Sequence, residues 1–239
     1  LTASGVHWKP ALSVWPWEGG VQRTDLRNHR KLLVIDGRTA WTGSQNMIER
    51  GYHKPDRPGR RLWQDLMARI DGPMAIGVDV TFITDWYAET GELIDDGAIA
   101  RTQATVTSAR EISRLRTATE DGVRAAESEH DQGPFFDCQF VPSGPGYEYE
   151  NNLRLFTQLL YMARERIVIV SPYFAPDDSM LYAITTAAIR GVSVELHVSA
   201  KGDQLFVQHA QQSYYETLLR AGVRIWLYRE PYVLHSKHI

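Results

Sequence analysis

Short apolar runs, separated by polar and Gly/Pro-rich breaks, set the rhythm of this chain. Residues 31–35 read as a continuous apolar strand, and Asp36-Gly37 is a tight-turn signal leading into a second strand at 39–42. Residues 6–8 read as a short strand before a Trp/Pro/Gly loop that reaches Gly20, and 66–70 as a further strand. Gly72-Pro73 punctuates that strand, and the pattern predicts a helix over 74–87. A short helix is expected from Met47, broken by the loop at 55–59. The later half alternates more cleanly: helix 151–163, strand 166–170, helix 180–189, strand 192–198, helix 208–219 and strand 223–227. Strands alternating with helices of this length predict α/β units around a mostly parallel sheet.

Between residues 91 and 133 the chain turns polar and reads as a connecting segment. On either side lies a weak internal repeat. Ser4-Gly5-Val6-His7-Trp8 resembles Ala221-Gly222-Val223-Arg224-Ile225, and each precedes a histidine two residues before a lysine, His29/Lys31 and His235/Lys237. The expected organisation is the back of one repeat at 1–90, the connector at 91–133, and the front of a second repeat at 134–239.

Composition narrows the class only a little. Of 239 residues, 43% are hydrophobic and 23% charged, which suits a globular core. A net charge of -3 gives no global basic field for nucleic acid, though a phosphate site needs only local cations. The single cysteine, Cys138, has no internal partner and reads as core filler beside Phe136 and Phe140. The strongest apolar run, 167–170, is far below the roughly 20 residues that cross a bilayer. The chain starts without Met and stops inside a motif, so this says little about the full-length protein.

The chemistry concentrates in Asn28-His29-Arg30-Lys31-Leu32-Leu33-Val34-Ile35-Asp36, followed by Gly43-Ser44-Gln45-Asn46. Positions two apart on a strand share a face, so His29 and Lys31 are expected to present an imidazole beside an ammonium. One can attack or move a proton while the other holds an anionic oxygen. Ser44 and Asn46 add neutral donors where a helix is expected to begin, a favourable place for phosphate. Asp36 has the opposite strand parity and is expected to brace the strand and turn. Asp65, just before the next strand, is expected to orient the His29 ring. Eight histidines are present, none in an H-E-x-x-H or similar metal-ligand spacing, so no metal and no cofactor is expected. His53, His130 and His197 read as surface or core histidines. His7 and His209 could approach the site. Trp15, Trp17 and Tyr232 precede the motifs and fit either an apolar mouth or core packing.

The first motif resembles the H-x-K-x4-D signature, with trailing G-S-x-N, of the phospholipase D superfamily. A second copy opens at His235-Ser236-Lys237 and reaches the last residue, Ile239, before its Asp. The run Arg23-Thr24-Asp25-Leu26-Arg27-Asn28-His29-Arg30-Lys31 resembles the bacterial cardiolipin synthases. So do Trp63-Gln64-Asp65, Ser143-Gly144-Pro145-Gly146, Ser171-Pro172-Tyr173-Phe174-Ala175-Pro176-Asp177 and Ser213-Tyr214-Tyr215-Glu216. Gln45-Asn46-Met47-Ile48-Glu49-Arg50 departs from the commoner glycine- and acid-rich version.

That resemblance implies a phospholipase D-like α/β fold with two pseudo-symmetric halves, each a mostly parallel sheet flanked by helices, and an active site between them. It implies a covalent phosphatidyl-histidine in making cardiolipin and glycerol from two phosphatidylglycerols. His29 is the expected nucleophile and His235 the acid/base, or the reverse. Lys31, Lys237, Ser44 and Asn46 are expected to hold the non-bridging oxygens. Asp36 completes the catalytic motif. The implied partners are phosphatidylglycerol and an anionic membrane surface rather than nucleic acid. The implied location is the cytoplasmic face of a bacterial plasma membrane. Lipid hydrolysis, a nuclease activity and simple binding of anionic lipid stand as alternatives.

Overall fold

The computed structural model describes residues 2–11, 28–48, 62–94, 97, 138–144, 147–201 and 205–239. The loop through Gly20, the loop at 55–59 and nearly all of 91–133 lie outside the described residues. So do Trp15, Trp17, His53, His130 and Phe136. The chain divides into two compact units, Leu1–Trp41 with Arg69–Val141, and Thr42–Ala68 with Pro142–Ile239. These bounds differ from the stretches 1–90 and 134–239 expected from the repeat: the described residues 42–48 and 62–68 fall in the unit that holds the later half.

The first unit is built on β1 (Leu32–Ile35), β2 (Thr39–Gly43) and β4 (Met67–Asp71), in the order β1-β2-β4. β2 and β4 each carry the chain from one unit into the other. The Asp-Gly signal acts as expected. Asp36 (φ 55°) and Gly37 (φ 60°) both sit in the left-handed region, and Arg38 N–H closes the turn on Ile35 O at 3.1 Å. So short a link permits only antiparallel pairing of β1 and β2. Helix α1 (Met74–Thr90) packs Ala75 and Val78 against Ala40, with Leu32, Val34, Ile70 and Phe140 around them.

Two expectations fail here. Cys138 is exposed rather than core filler. Phe140 takes the packed place instead, close enough to Gly77 that a methyl there would touch its ring at 3.4 Å. Residues 6–8 form no strand: a 3-10 turn, Thr2–Ser4, is followed by chain without regular secondary structure, with Val6 and Trp8 exposed. Trp8 donates its indole N–H to Thr2 Oγ1 at 3.0 Å, and Pro10 brings no ladder donor. The repeat survives locally, since Gly5 N–H bonds Thr2 O as Gly222 N–H bonds Leu219 O, each at 3.0 Å.

The second unit holds the clean alternation. Helix α2 (Asn151–Met162), β5 (Arg166–Val170), α3 (Asp178–Ile189), β6 (Ser193–Ser199), α4 (Leu205–Ser213), α5 (Tyr215–Arg220) and β7 (Arg224–Tyr228) follow in order. β5, β6 and β7 form a parallel sheet in chain order, with Val168 opposite Glu195 and Leu196 opposite Ile225. One face is apolar: Ile167, Ile169, Val194, Leu196 and Val198 bury against Leu160, Ala183, Ile184, Ala187 and Leu218. Each large side chain so buried contributes roughly 1.5–3 kcal/mol. Asp177 caps α3 by accepting Met180 N–H at 2.8 Å, so that helix starts earlier than residue 180. The helix expected over 208–219 is two pieces, hinged where Tyr214 N–H bonds Gln211 O at 3.3 Å, one residue short of the α-helical partner. The mixed α/β reading with a parallel sheet thus describes the observed architecture.

The pattern reading lacked two short strands, β3 (Leu62–Gln64) and β8 (Tyr232–Leu234). They pair in parallel, Leu62 with Tyr232, Trp63 with Val233 and Gln64 with Leu234. Three residues carry too little periodicity to be recognised alone.

On the other sheet face, Glu195 gathers cations. Its Oε1 accepts from Arg224 at 2.9 Å and Arg166 at 3.3 Å, and its Oε2 accepts Trp226 Nε1–H at 3.1 Å. Burial pushes this carboxyl up, but Arg166 and Arg224 outweigh that and hold it below the ordinary glutamate value. A carboxyl so lowered binds protons more readily unfolded than folded. Its stabilising effect is therefore complete above the ordinary value of 4.5 and fades as pH falls through the folded one. In thermal melts, the Tm gap between wild type and Glu195→Gln should narrow on going from neutral pH to below that value. A gap independent of pH would show that the cluster adds nothing through charge.

Candidate active site

Because β3 and β8 run in parallel register, the position after each strand brings Asp65 beside His235, 170 residues apart in the chain. Beyond Leu234 the ladder ends, but His235 and Ser236 both direct their N–H groups to Gln64 O, at 2.9 and 3.0 Å. Asp65 Oδ1 lies 2.6 Å from His235 Nδ1 and accepts Ser44 Oγ–H at 2.8 Å. With Nδ1 turned to the carboxylate, Nε2 is the nitrogen left for chemistry. The Trp63 ring stands edge-to-face with the imidazole, centroids 5.1 Å apart. Side-chain exposures of 13% and 19% for His235 and Asp65 shield their bond from competing water.

The Gly43-Ser44 step builds the other side of this arrangement. Ser44 N–H bonds Leu66 O at 2.9 Å, and Ser44 Oγ accepts Leu66 N–H at 3.0 Å. Gly43 makes the approach possible: a methyl there would clash with Leu66 O and stand 2.9 Å from Met67 Cα. Ser44, buried, thus commits its hydroxyl to Asp65 and to the neighbouring strand. The helix expected from Met47 lies, beyond Ile48, outside the described residues, and Ser44 itself is tied to Leu66. Gln45, Asn46, Ile48, Trp63, Gln64, Asp65 and His235 line an open cavity of about 270 Å³. Asn46 is exposed at its wall.

The second motif sits at the carboxyl ends of the parallel strands, where α/β sheets usually bind ligands. His238 and Val170 exchange backbone bonds of 2.9 and 3.1 Å at the end of β5. Ser199, at the end of β6, accepts Leu234 N–H at 3.1 Å. Lys237 donates Nζ–H to His235 O at 2.6 Å.

The first motif lies in the other unit and repeats one local feature: Lys31 Nζ donates to His29 O at 2.7 Å. His29 is exposed, and strand β1 begins only at Leu32. Asn28 Nδ2 donates to Asp85 Oδ2 at 2.9 Å, and Arg30 Nη1 reaches both Asp85 oxygens at 2.5 Å. Asp36 is exposed in the hairpin turn, where it reverses the chain.

One role needs correcting. Asp65 was expected to orient His29; its carboxylate is bonded to His235, because β3 pairs with β8. Sequence reading also missed Asp85, Asn28 and Trp63 as neighbours of the histidines, since strand parity speaks only to residues on one element. Other motif residues serve the core. Phe174 is buried with its N–H on Gln211 Oε1 at 3.1 Å, and Gln211 Nε2 donates to Tyr215 Oη at 2.7 Å. Burial pushes the Tyr215 hydroxyl up, the Gln211 bond offsetting part of it. His197 stacks on Trp226 and lies 3.5 Å from Glu195, as a structural histidine does. His7 and His209 are exposed, and Tyr232 packs edge-on to Tyr228. Among the described residues no group of three or more His, Cys, Asp or Glu is arranged to hold a metal. None of their helices is long and apolar enough to cross a membrane.

Gly43→Ala should cost about 1–3 kcal/mol in denaturant unfolding, as overpacking against backbone does. It should also lower whatever activity depends on His235, since Ser44 and Asp65 move with it. Unchanged stability would mean the strands separate at no cost and the close approach is incidental.

Residues 156–239 match the family model described as cardiolipin synthase, PLD-like domain. Over 239 residues, all of this chain, it is 35% identical to cardiolipin synthase A of Pectobacterium carotovorum, covering 44% of that protein. Over 236 residues, 99% of this chain, it is 35% identical to cardiolipin synthase A of Serratia proteamaculans, covering 43%. The chain therefore spans less than half the length of these curated relatives. Among solved structures, phosphatidylserine synthase of Haemophilus influenzae Rd KW20 aligns with a TM-score of 0.44 and 16% identity, over 87% of this chain and 50% of that one. A likeness that distant bears on neither fold nor function.

Proposed function

We propose that this chain, which holds a phospholipase D-like domain of the cardiolipin synthase family, carries out phosphatidyl transfer at phosphorus, with His235 and His29 as the reacting imidazoles. The observation that carries this is the His235 Nδ1–Asp65 bond of 2.6 Å beside a cavity walled by Asn46 and Gln64. A carboxylate on Nδ1 fixes the tautomer, leaves Nε2 to meet substrate and stabilises the imidazolium that forms when Nε2 gains a proton.

In the first step, His29 Nε2 attacks the phosphorus of phosphatidylglycerol. A phosphorus–nitrogen bond forms, the phosphorus–oxygen bond to glycerol breaks, and the leaving alkoxide takes the proton from His235 Nε2. In the second step, His235 removes the hydroxyl proton of another phosphatidylglycerol. That oxygen displaces His29 and yields cardiolipin. Exchanging the two histidines leaves the balance of atoms unchanged. Lys31, Lys237 and Asn46 hold the non-bridging oxygens as charge concentrates on them. Ser44 acts one step back: it holds the Asp65 carboxylate in the place from which it meets His235 Nδ1. The working surface on this reading is an anionic phospholipid membrane.

The test uses the full-length protein with phosphatidylglycerol vesicles and a chelator, products being read by mass spectrometry. Cardiolipin with glycerol is expected, and His29→Ala and His235→Ala should each lower turnover by about 10²–10⁴-fold. Asp65→Asn should fall in the same direction, because the amide can present its own N–H to Nδ1 and select the wrong tautomer. Intact mass after brief mixing should reveal a phosphatidyl adduct that is absent from the nucleophile variant. Phosphatidic acid alone would replace transfer by hydrolysis, and unchanged lipid would end the phosphatidyl reading.

A further inference from the structure

We infer that Asp85, on helix α1, is the positioning residue that holds His29 in its working place; this rests on the reading of His29 as a reacting group. His29 precedes the first ladder residue of β1, so sheet pairing does not fix its backbone. The residues on either side of it are held from the helix instead. Asn28 Nδ2 donates to Asp85 Oδ2 at 2.9 Å, and Arg30 Nη1 donates to both carboxylate oxygens at 2.5 Å. Asn28 Oδ1 also accepts Arg30 N–H at 3.0 Å, which closes a loop of bonds around the His29 peptide.

The support is rigid. Asp85 lies two helical turns beyond Val78, on the stripe with which α1 packs against β1 and β2. The carboxylate thus continues a packed face at the point where the sheet ends. Side-chain exposures of 15% for Arg30 and 25% for Asp85 protect the ion pair from water, while His29 stays exposed. One acid grips both neighbours of a histidine and leaves the imidazole itself unoccupied. Such an arrangement orients a reacting group without altering its chemistry, and small misplacements of such groups cost rate rather than binding.

The test measures kcat and KM for lipid turnover by the full-length protein, per mole of folded protein, with the melting temperature recorded beside them. Asp85→Asn should lower kcat by about 10- to 100-fold with KM changed less than about threefold, while Asp85→Glu restores part of the rate. Asn28→Ala keeps the ion pair and should lower kcat by a smaller factor. Its effect should shrink when Asp85 is already Asn, because both act through one grip. Should Asp85→Asn fail to fold, Asn28→Ala and Asp85→Glu still decide the matter through the same kcat and KM split. Loss of folded protein with full kcat in what remains would make Asp85 structural only and overturn the inference. With His29→Ala inactive, a normal kcat in Asp85→Asn and Asn28→Ala defeats this inference alone. Full activity in His29→Ala defeats the underlying reading and this one with it.

Discussion

Three residues of parallel pairing, Leu62 to Gln64 beside Tyr232 to Leu234, decide what the second motif can do. The register delivers Asp65 to His235 across 170 positions of sequence, and Gln64 O ties down the motif backbone. Ser44 belongs to the same construction, since its hydroxyl meets Asp65 only because Gly43 lets two backbones close on each other. Remove the pairing and each of these groups becomes an ordinary polar residue on a separate segment.

The two histidine motifs share a local form and differ in their supports. In both, the lysine amine folds back on the carbonyl of its own histidine, at 2.7 Å for Lys31 and 2.6 Å for Lys237. Around that shared turn the fold supplies different acids. Asp65 bonds the His235 ring directly, whereas Asp85 bonds the residues flanking His29 and leaves its ring alone. The first acts on the tautomer of an imidazole and the second on its position. A direct bond to Nδ1 fixes which ring nitrogen faces outward, whereas a grip on flanking peptides changes only where the ring stands.

Much of the remaining resemblance to cardiolipin synthases is structural. Phe174 and Asp177 form the buried exit and helix cap after β5, while Tyr215 and Gln211 tie two helices to that exit. These residues hold the carboxyl ends of the parallel strands in place, and the second motif rests there through Val170 and Ser199. Motif likeness in this chain therefore mixes groups that can touch a substrate with groups that shape the floor beneath it.

What the sequence determined by itself is local. Short strand-like runs, after Gly191 and Gly222 in two cases, named β5, β6 and β7 and the helices between them, because burial of one sheet face demands that pattern. Asp36-Gly37 named its turn, since Gly takes positive φ freely and Asp tolerates it. His29 and Lys31 stood out by the spacing of a full motif, and His235 and Lys237 by their place after the repeated strand. Tertiary structure decided the rest. Which acid serves which histidine depends on strand register, and register between segments 170 residues apart leaves no periodic trace in either. The fate of Ser44, Cys138 and Asp85 turned on what packs beside them, and one-dimensional patterns carry a residue's own face but not its neighbour's.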